Sequence, residues 1–205
     1  GNNIQMHQVG YAPSSFYVYQ QVYDQEGRPM EGVYVDRDEN GVINADDKYF
    51  FHKPAADFTM GLNTTLTYKN WTLAASGHGS LGNYIYNNVA SDGEMLADLW
   101  TNSFTSNRLE SALWSNFNQA CYLSDYYIKD ASFFKVDNVT LGYTFPSLFK
   151  SAKLDRALGL NIYATVQNVA TITNYEGLDP EVFSGIDNNL YPRPRTYILG
   201  VKFNF

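Results

Sequence analysis

At 205 residues the chain has the length of one domain or of part of a larger one, and its 16% aromatic content stands beside only 17% charged residues. A formal charge of −7 and a pI near 4.8, with no Lys/Arg cluster to neutralise phosphates, exclude nucleic acid as a partner. Mean hydropathy is −0.34 and no apolar run approaches the ~20 residues of a transmembrane helix, which excludes a helical membrane protein but not a β-barrel, whose strands hide their hydrophobicity in alternation.

The opening residues Gly1-Asn2-Asn3-Ile4 carry no initiating or targeting pattern, and the chain reads as the end of a longer polypeptide. Ser15 to Asp24 and Gly32 to Asp36 are strand-like but aromatic on both faces. Between them and the next strand lies the clearest local motif, Asp36-Arg37-Asp38-Glu39-Asn40-Gly41-Val42-Ile43-Asn44-Ala45-Asp46-Asp47. It fits the calcium-loop pattern, with Asp36, Asp38 and Asn40 at loop positions one, three and five, Gly41 at the sharp turn, and the Val42 carbonyl at position seven. Asp47 stands where an EF-hand has a bidentate Glu, and the residues before the loop are not an entering helix, so modest affinity and a structural role are expected for a bound calcium. A solvated acidic turn is the bland alternative.

From Asp57 to Tyr68 the even positions Phe58, Met60, Leu62, Leu66 and Tyr68 are apolar and the odd ones small or polar, with Thr64 the exception. After a turn at Lys69-Asn70, Trp71, Leu73, Ala75 and Leu81 continue an apolar face opposite Thr72, Ser76, His78 and Ser80, so the two runs read as a hairpin. Gly77-His78-Gly79-Ser80-Leu81-Gly82 matches G-x-G-x-x-G, but no helix is indicated after it and no βαβ context surrounds it, so a dinucleotide site is rejected. Its glycines would instead allow a close approach of loop or plug backbone.

The stretch from Gly82 to Asp130 reads as a long loop containing one helix. Ser91 to Glu94 has capping-box spacing, and Met95, Leu96, Leu99 and Trp100 share a helical face. Trp100, Trp114 and Tyr122 are candidate substrate-binding aromatics, with plain packing as the alternative. Cys121, the single cysteine, can make no internal disulfide and reads as a bland thiol. His7, His52 and His78 share no metal-ligand spacing, and no nucleophile elbow, zinc motif or Walker loop is present, so no enzyme is expected.

From Phe133 to Phe145 the apolar face is Phe133, Val139, Leu141, Tyr143 and Phe145, and Pro146 is expected to end the strand. Lys135 and Asp137 break that face, which places the strand's upper part beyond the hydrocarbon of a membrane. Leu158, Leu160, Ile162, Ala164 and Val166 form the next face. In the last strand Tyr197, Leu199, Val201, Phe203 and Phe205 alternate with Thr196, Gly200, Lys202 and Asn204. The spacing Gly200, Phe203, Phe205 resembles the terminal assembly signal of outer-membrane β-barrel proteins, with Ile198 as a departure from it. Short links near Lys69-Asn70 and from Pro146 to Ala157 fall on one side, and long ones, Gln25 to Ala56, Gly82 to Asp130 and Asn168 to Pro194, on the other. That is the layout of an outer-membrane barrel, with Tyr68, Trp71, Tyr143, Phe145, Phe203 and Phe205 as an interfacial girdle.

The run Asp125 to Tyr143 (DYYIKDASFFKVDNVTLGY) resembles the strand entry near the C-terminus of SusC/RagA-type TonB-dependent transporters. Tyr175 to Glu181 (YEGLDPE) and Tyr191 to Tyr197 (YPRPRTY) resemble that family's last extracellular loop and terminal strand, and the loop at Asp36 has its counterpart there. The resemblance implies an all-β fold, the last strands of an antiparallel transmembrane barrel of about 22 strands with a plugged lumen. It further implies a Bacteroidetes outer-membrane importer of oligosaccharides or peptides that works beside a SusD-like surface lipoprotein and is driven by TonB. The plug, the TonB-contacting part and the earlier strands would lie in the remainder of the same transporter, because about six strands cannot close such a barrel and open edges are not tolerated in lipid. Two other classes stay open: a self-contained small outer-membrane barrel, which would need more strands between Gly82 and Asp130, and a soluble calcium-dependent glycan-binding β-domain, which leaves the terminal Phe unexplained.

Overall fold

The computed structural model describes residues 4–101, 108–119, 121–150, 157–188 and 191–204. In chain order its strands are β1 (Gln5–Met6), β2 (Ser15–Val18), β3 (Gln21–Tyr23), β4 (Pro29–Tyr34), β5 (Tyr49–Phe50), β6 (Phe58–Tyr68) and β7 (Trp71–Leu81). They continue with β8 (Tyr84–Asn87), β9 (Ile128–Asp130), β10 (Phe133–Lys150), β11 (Ala157–Thr173), β12 (Ile186–Asp187) and β13 (Thr196–Asn204). Three short helices, α1 (Asn88–Gly93), α2 (Asp98–Thr101) and α3 (Ala112–Ser115), lie between β8 and β9. The fold is all-β, and every strand pair is antiparallel except β12 with β8.

The chain divides into two compact units. One is a five-stranded sheet in the order β13-β11-β10-β7-β6, built from Phe58–Leu81, Phe133–Thr173 and Pro192–Phe205. Register fixes its two faces. Leu66, Leu73, Leu141, Ala164 and Leu199 form one cross-strand row, and Tyr68, Trp71, Tyr143, Ile162 and Val201 the next but one. Both rows lie on the same face because side chains alternate along a strand. The opposite face carries Thr65, Ala74, Thr140, Thr165 and Ile198 in one row, with Thr140 and Thr165 joined through their hydroxyls at 2.7 Å. Leu66, Tyr68, Leu141, Ile162, Tyr197 and Leu199 expose between 43% and 86% of their surface. A soluble sheet would bury such a face.

The hairpin expected from Asp57 to Leu81 is present as β6 and β7, paired from Phe58↔Leu81 to Tyr68↔Trp71. In β10 the facing differs from the sequence expectation. Both of its neighbours shift register between Val136 and Asn138, so Asp137 is an extra residue opposite β7, a β-bulge. Above the bulge the apolar face passes to Phe134 and Val136, which pair with Gly79 and Gly77, while Phe133 and Lys135 turn to the other face opposite Ser80 and His78. Lys135 therefore does not break the apolar face; it belongs to the opposite one. The bulge also aims the Asp137 carboxylate at His78, with Oδ2 2.8 Å from Nδ1. Nor does Pro146 end the strand. β10 runs on to Lys150, and Pro146 falls in the second register shift, between Phe145 and Phe149, where its missing N–H interrupts no regular pairing.

The other unit gathers Gly1–Asp57, Gly82–Ser132 and Asn174–Tyr191. It is built on two three-stranded sheets, β1-β2-β5 and β12-β8-β9, and the hairpin of β3 and β4. Phe16, Val18, Tyr86, Phe117, Cys121, Tyr127 and Ile128 are buried in its core. Polar bonds tie distant segments together. Ser124 Oγ donates to Gln21 Oε1 at 2.9 Å, and Asp125 accepts from the Gln21 N–H at 2.9 Å and from the Tyr49 hydroxyl at 2.7 Å. The single helix expected from Ser91 through Trp100 is not formed: Asn87 caps α1 by accepting from the Ala90 N–H at 2.9 Å, Ser91 lies inside it and Glu94 is its C-cap, while Met95 and Leu96 lie in no helix and Leu99 and Trp100 belong to the separate α2. Asn87 outcompetes Ser91 because β8 ends there and its side chain is already held at the start of the turn.

Every junction between the two units lies at one end of the strands. Phe58, Leu81, Phe133 and Thr173 share that end by register, and β13 begins at Thr196, opposite Gln167 on the same side. Lys69 and Asn70 make the tight turn at the other end, with Lys69 in the left-handed region at φ 53°.

Candidate functional site

The hairpin of β3 and β4 delivers the chain to Val35, whose N–H donates to the Gln20 carbonyl at 3.0 Å, and the acidic loop follows directly. Its first half is wound by Asx-type bonds, which Asp and Asn form readily with backbone two to five residues on. Asp36 accepts from the N–H groups of Asn40 (3.3 Å) and Gly41 (2.7 Å), Asp38 accepts from Asn40 N–H (3.1 Å), and Asn40 Oδ1 accepts from Val42 N–H (2.7 Å). The tight winding needs left-handed backbone at Glu39 and at Gly41, where φ is 82°, a conformation that costs glycine little.

The second half closes on Asp47. This residue ends a 3₁₀ turn, Ala45–Asp47, capped by Asn44 in a reciprocal capping box. Its fully buried carboxylate accepts from Asn44 N–H at 2.7 Å and from Arg37 N–H at 2.8 Å, so one side chain clasps both ends of the loop. The N–H of Asn44, with that of Arg37, holds its carboxyl below the usual carboxylate range.

Asp36, Asp38 and Asp47 each place a carboxylate oxygen within 4.8 Å of the others. Among the described residues none of the three is in a salt bridge. The nearest cation in sequence turns away: Arg37 lays its guanidinium 4.6 Å from the Tyr49 ring centre and donates to Gln20 Oε1 at 3.0 Å. The three carboxylates converge with no cation paired to them, an oxygen set that suits a hard divalent cation, while Asn40 turns its amide nitrogen to Asp38 Oδ2 at 2.7 Å. The residues at loop positions one, three and twelve thus come together as the spacing predicts.

The other sequence candidates do not assemble into one site. Trp114 lies on α3, half exposed, with the Arg28 guanidinium 5.1 Å from its ring centre. Tyr122 is part exposed, and no ring contact joins it to Trp114 among the described residues. Trp100 falls in α2, and its side chain lies outside the described residues. Cys121 is buried, and burial pushes its thiol up, in keeping with a packing role. Phe203 pairs with Leu160 on the exposed apolar face, and Gly200 sits opposite Tyr163, whose ring occupies the space a Cβ would need. Phe205 lies outside the described residues. The G-x-G-x-x-G run is in β7 rather than at a strand-to-helix turn, and the backbone approaching Gly77 is that of the neighbouring strand at Lys135.

No family model matches the chain. Over its whole length it is 47% identical to the TonB-dependent receptor SusC of Bacteroides thetaiotaomicron, covering 21% of that protein. It is 29% identical to the TonB-dependent receptor P3 of Formosa agariphila over 86% of the chain and 19% of the relative. The chain thus spans about a fifth of the length of these curated relatives. Among solved structures, that of the RagAB peptide transporter superposes on the whole chain with a TM-score of 0.78 at 22% identity, covering 24% of the matched chain. The RagAB peptide importer in its closed-closed state gives 0.74 at 23% identity, likewise over the whole chain and 24% of its counterpart.

Proposed function

From its membership in the SusC/RagA family of TonB-dependent receptors, of which it spans a segment, we propose that the chain supplies barrel wall and extracellular loops to an outer-membrane importer of oligosaccharides or peptides. In this role it makes and breaks no bond. A SusD-like surface lipoprotein acts as the lid, TonB drives the cycle through the remainder of the transporter, and the sheet's open edges at β6 and β13 pair with further strands of the same barrel. The observation that carries the reading is the five-stranded sheet whose exposed face is apolar and whose other face is polar, the reverse of a soluble sheet over a core. Loop aromatics Trp100, Trp114 and Tyr122 are the candidate substrate contacts.

The test is genetic. Deleting the full-length gene in its host should abolish uptake of one class of labelled oligosaccharide or peptide, and deleting the neighbouring lipoprotein should weaken the same uptake. Unchanged uptake of both classes in the first strain, with the wild-type strain's protein recovered in the soluble fraction, would overturn the proposal.

Within this importer, a calcium ion would be held by Asp36, Asp38, Asn40, the Val42 carbonyl and Asp47. It would supply the positive charge that the three carboxylates lack, in a structural role. Calcium is therefore expected to protect residues 25–56 of the full-length protein from proteolysis, and Asp38→Ala to remove that protection while leaving cleavage elsewhere unchanged. Identical digestion patterns in calcium and in chelator would count against an occupied site.

A further inference from the structure

A second cluster of carboxylates lies in the loop unit, away from Asp36, and it lines a cavity of about 410 Å3. Three distant segments build it. Pairing of β12 with β8 sets Asp187 beside Asn87, the residue that caps α1; α1 ends at Glu94; and β9, paired with β8, contributes Lys129. Glu176, Tyr126 and Leu178 complete the relevant wall.

Glu94 is 4% exposed and Asp187 1% exposed. Asp187 accepts from the Tyr175 hydroxyl at 2.9 Å through Oδ2, but its Oδ1 and the Oε2 of Glu94 have no hydrogen-bond partner among the described residues. Buried carboxylate oxygens without donors are costly, and a pocket of this size is in the range that takes small molecules. Burial pushes the Glu94 carboxyl up, against the opposing pull of Ser111, Lys129 and Tyr127. The wall carries three carboxylates against the single ammonium of Lys129, which is itself drawn to the Tyr126 ring, 4.6 Å from its centre. A bare divalent ion does not answer this need, because among the described residues only Asp36, Asp38 and Asp47 bring three such groups to one point.

We propose that this cavity binds a small organic cation whose primary ammonium group donates to the free oxygens of Glu94 and Asp187 and whose apolar body lies against Tyr126 and Leu178. An ammonium group offers three donors and a positive charge, matching both deficits, whereas a hydroxyl matches only one. The site is independent of the acidic loop and of whether the transporter carries oligosaccharides or peptides.

The experiment uses the full-length protein in detergent, with cyclohexylamine and its neutral counterpart cyclohexanol as probes in saturation-transfer NMR. Saturable binding of cyclohexylamine and none of cyclohexanol is expected, with Glu94→Gln and Asp187→Asn each weakening the amine about tenfold or more. Leu178→Trp, which fills the pocket from a largely exposed position, should block binding in a folded protein and decides the matter if the carboxylate variants fail to fold. Equal binding of cyclohexanol, amine binding unaffected by the folded variants, or no saturable amine binding would each overturn the proposal.

Discussion

Arginine at Leu141 is expected to remove most of the folded protein from the outer membrane, whereas arginine at the adjacent Thr140 is expected to leave it largely in place. Leu141 lies on the exposed apolar face between Leu73 and Ala164, and Thr140 lies on the polar face between Ala74 and Thr165. A charge on the lipid side costs about 2 to 4 kcal/mol near the bilayer midplane, and the same charge toward a wet lumen costs far less. Ile162→Arg and Asn161→Arg repeat the comparison one strand away, where Asn161 already donates to Thr144 Oγ1 at 2.8 Å on the polar side. The measurement is the fraction of heat-modifiable, folded protein in outer-membrane fractions. Equal losses for the two members of either pair would refute the facing derived from register.

The second large effect concerns a glycine. A Cβ at Gly77 would lie 2.6 Å from the Lys135 carbonyl oxygen and 3.0 Å from the Phe134 ring, while Gly61 has nothing within 4 Å of where its Cβ would be. The obstacle at Gly77 is backbone beside the Asp137 bulge, and it cannot swing aside as the end of a side chain can. Gly77→Ala is expected to destabilise the folded protein by about 1 to 3 kcal/mol, the usual cost of overpacking, and Gly61→Ala to be near neutral. Thermal unfolding followed by gel mobility distinguishes them. A Gly77→Ala protein that melts with the wild type would mean that β7 and β10 are not held at the register described.

These two cases also mark where the sequence was legible. The hairpin from Phe58 to Leu81 could be read directly, because a period of two runs through it without a slip. The strand from Phe133 could not be read throughout, since one extra residue inverts the facing of everything above it; Phe134 and Val136 carry the apolar face there, and Lys135 looked anomalous only while the strand was taken as regular. Pro146 misled for a related reason, falling where the ladder is already broken. Of the acidic loop, spacing alone located Asp36, Asp38 and Asp47, because the whole device is local. The burial of Asp47 was not visible, since it depends on backbone donors at Arg37 and Asn44 presented by the folded turn. The cavity at Glu94 was hidden more deeply: Asp187 lies far along the chain, and no local pattern links the two.

The gathering of all junctions at one end of the strands bears on how such a protein can diversify. Lengthening or replacing a segment between Gly82 and Ser132, or between Asn174 and Tyr191, changes no pairing within the five-stranded sheet, because β6, β7, β10, β11 and β13 all lie outside those segments and pair only with one another among the described residues. The entropic cost of a longer excursion grows only logarithmically with its length. Those segments could therefore be exchanged between homologues as cassettes, cut at Leu81/Gly82, Ser132/Phe133, Thr173/Asn174 and Tyr191/Pro192, over a strand scaffold whose own pairing stays fixed.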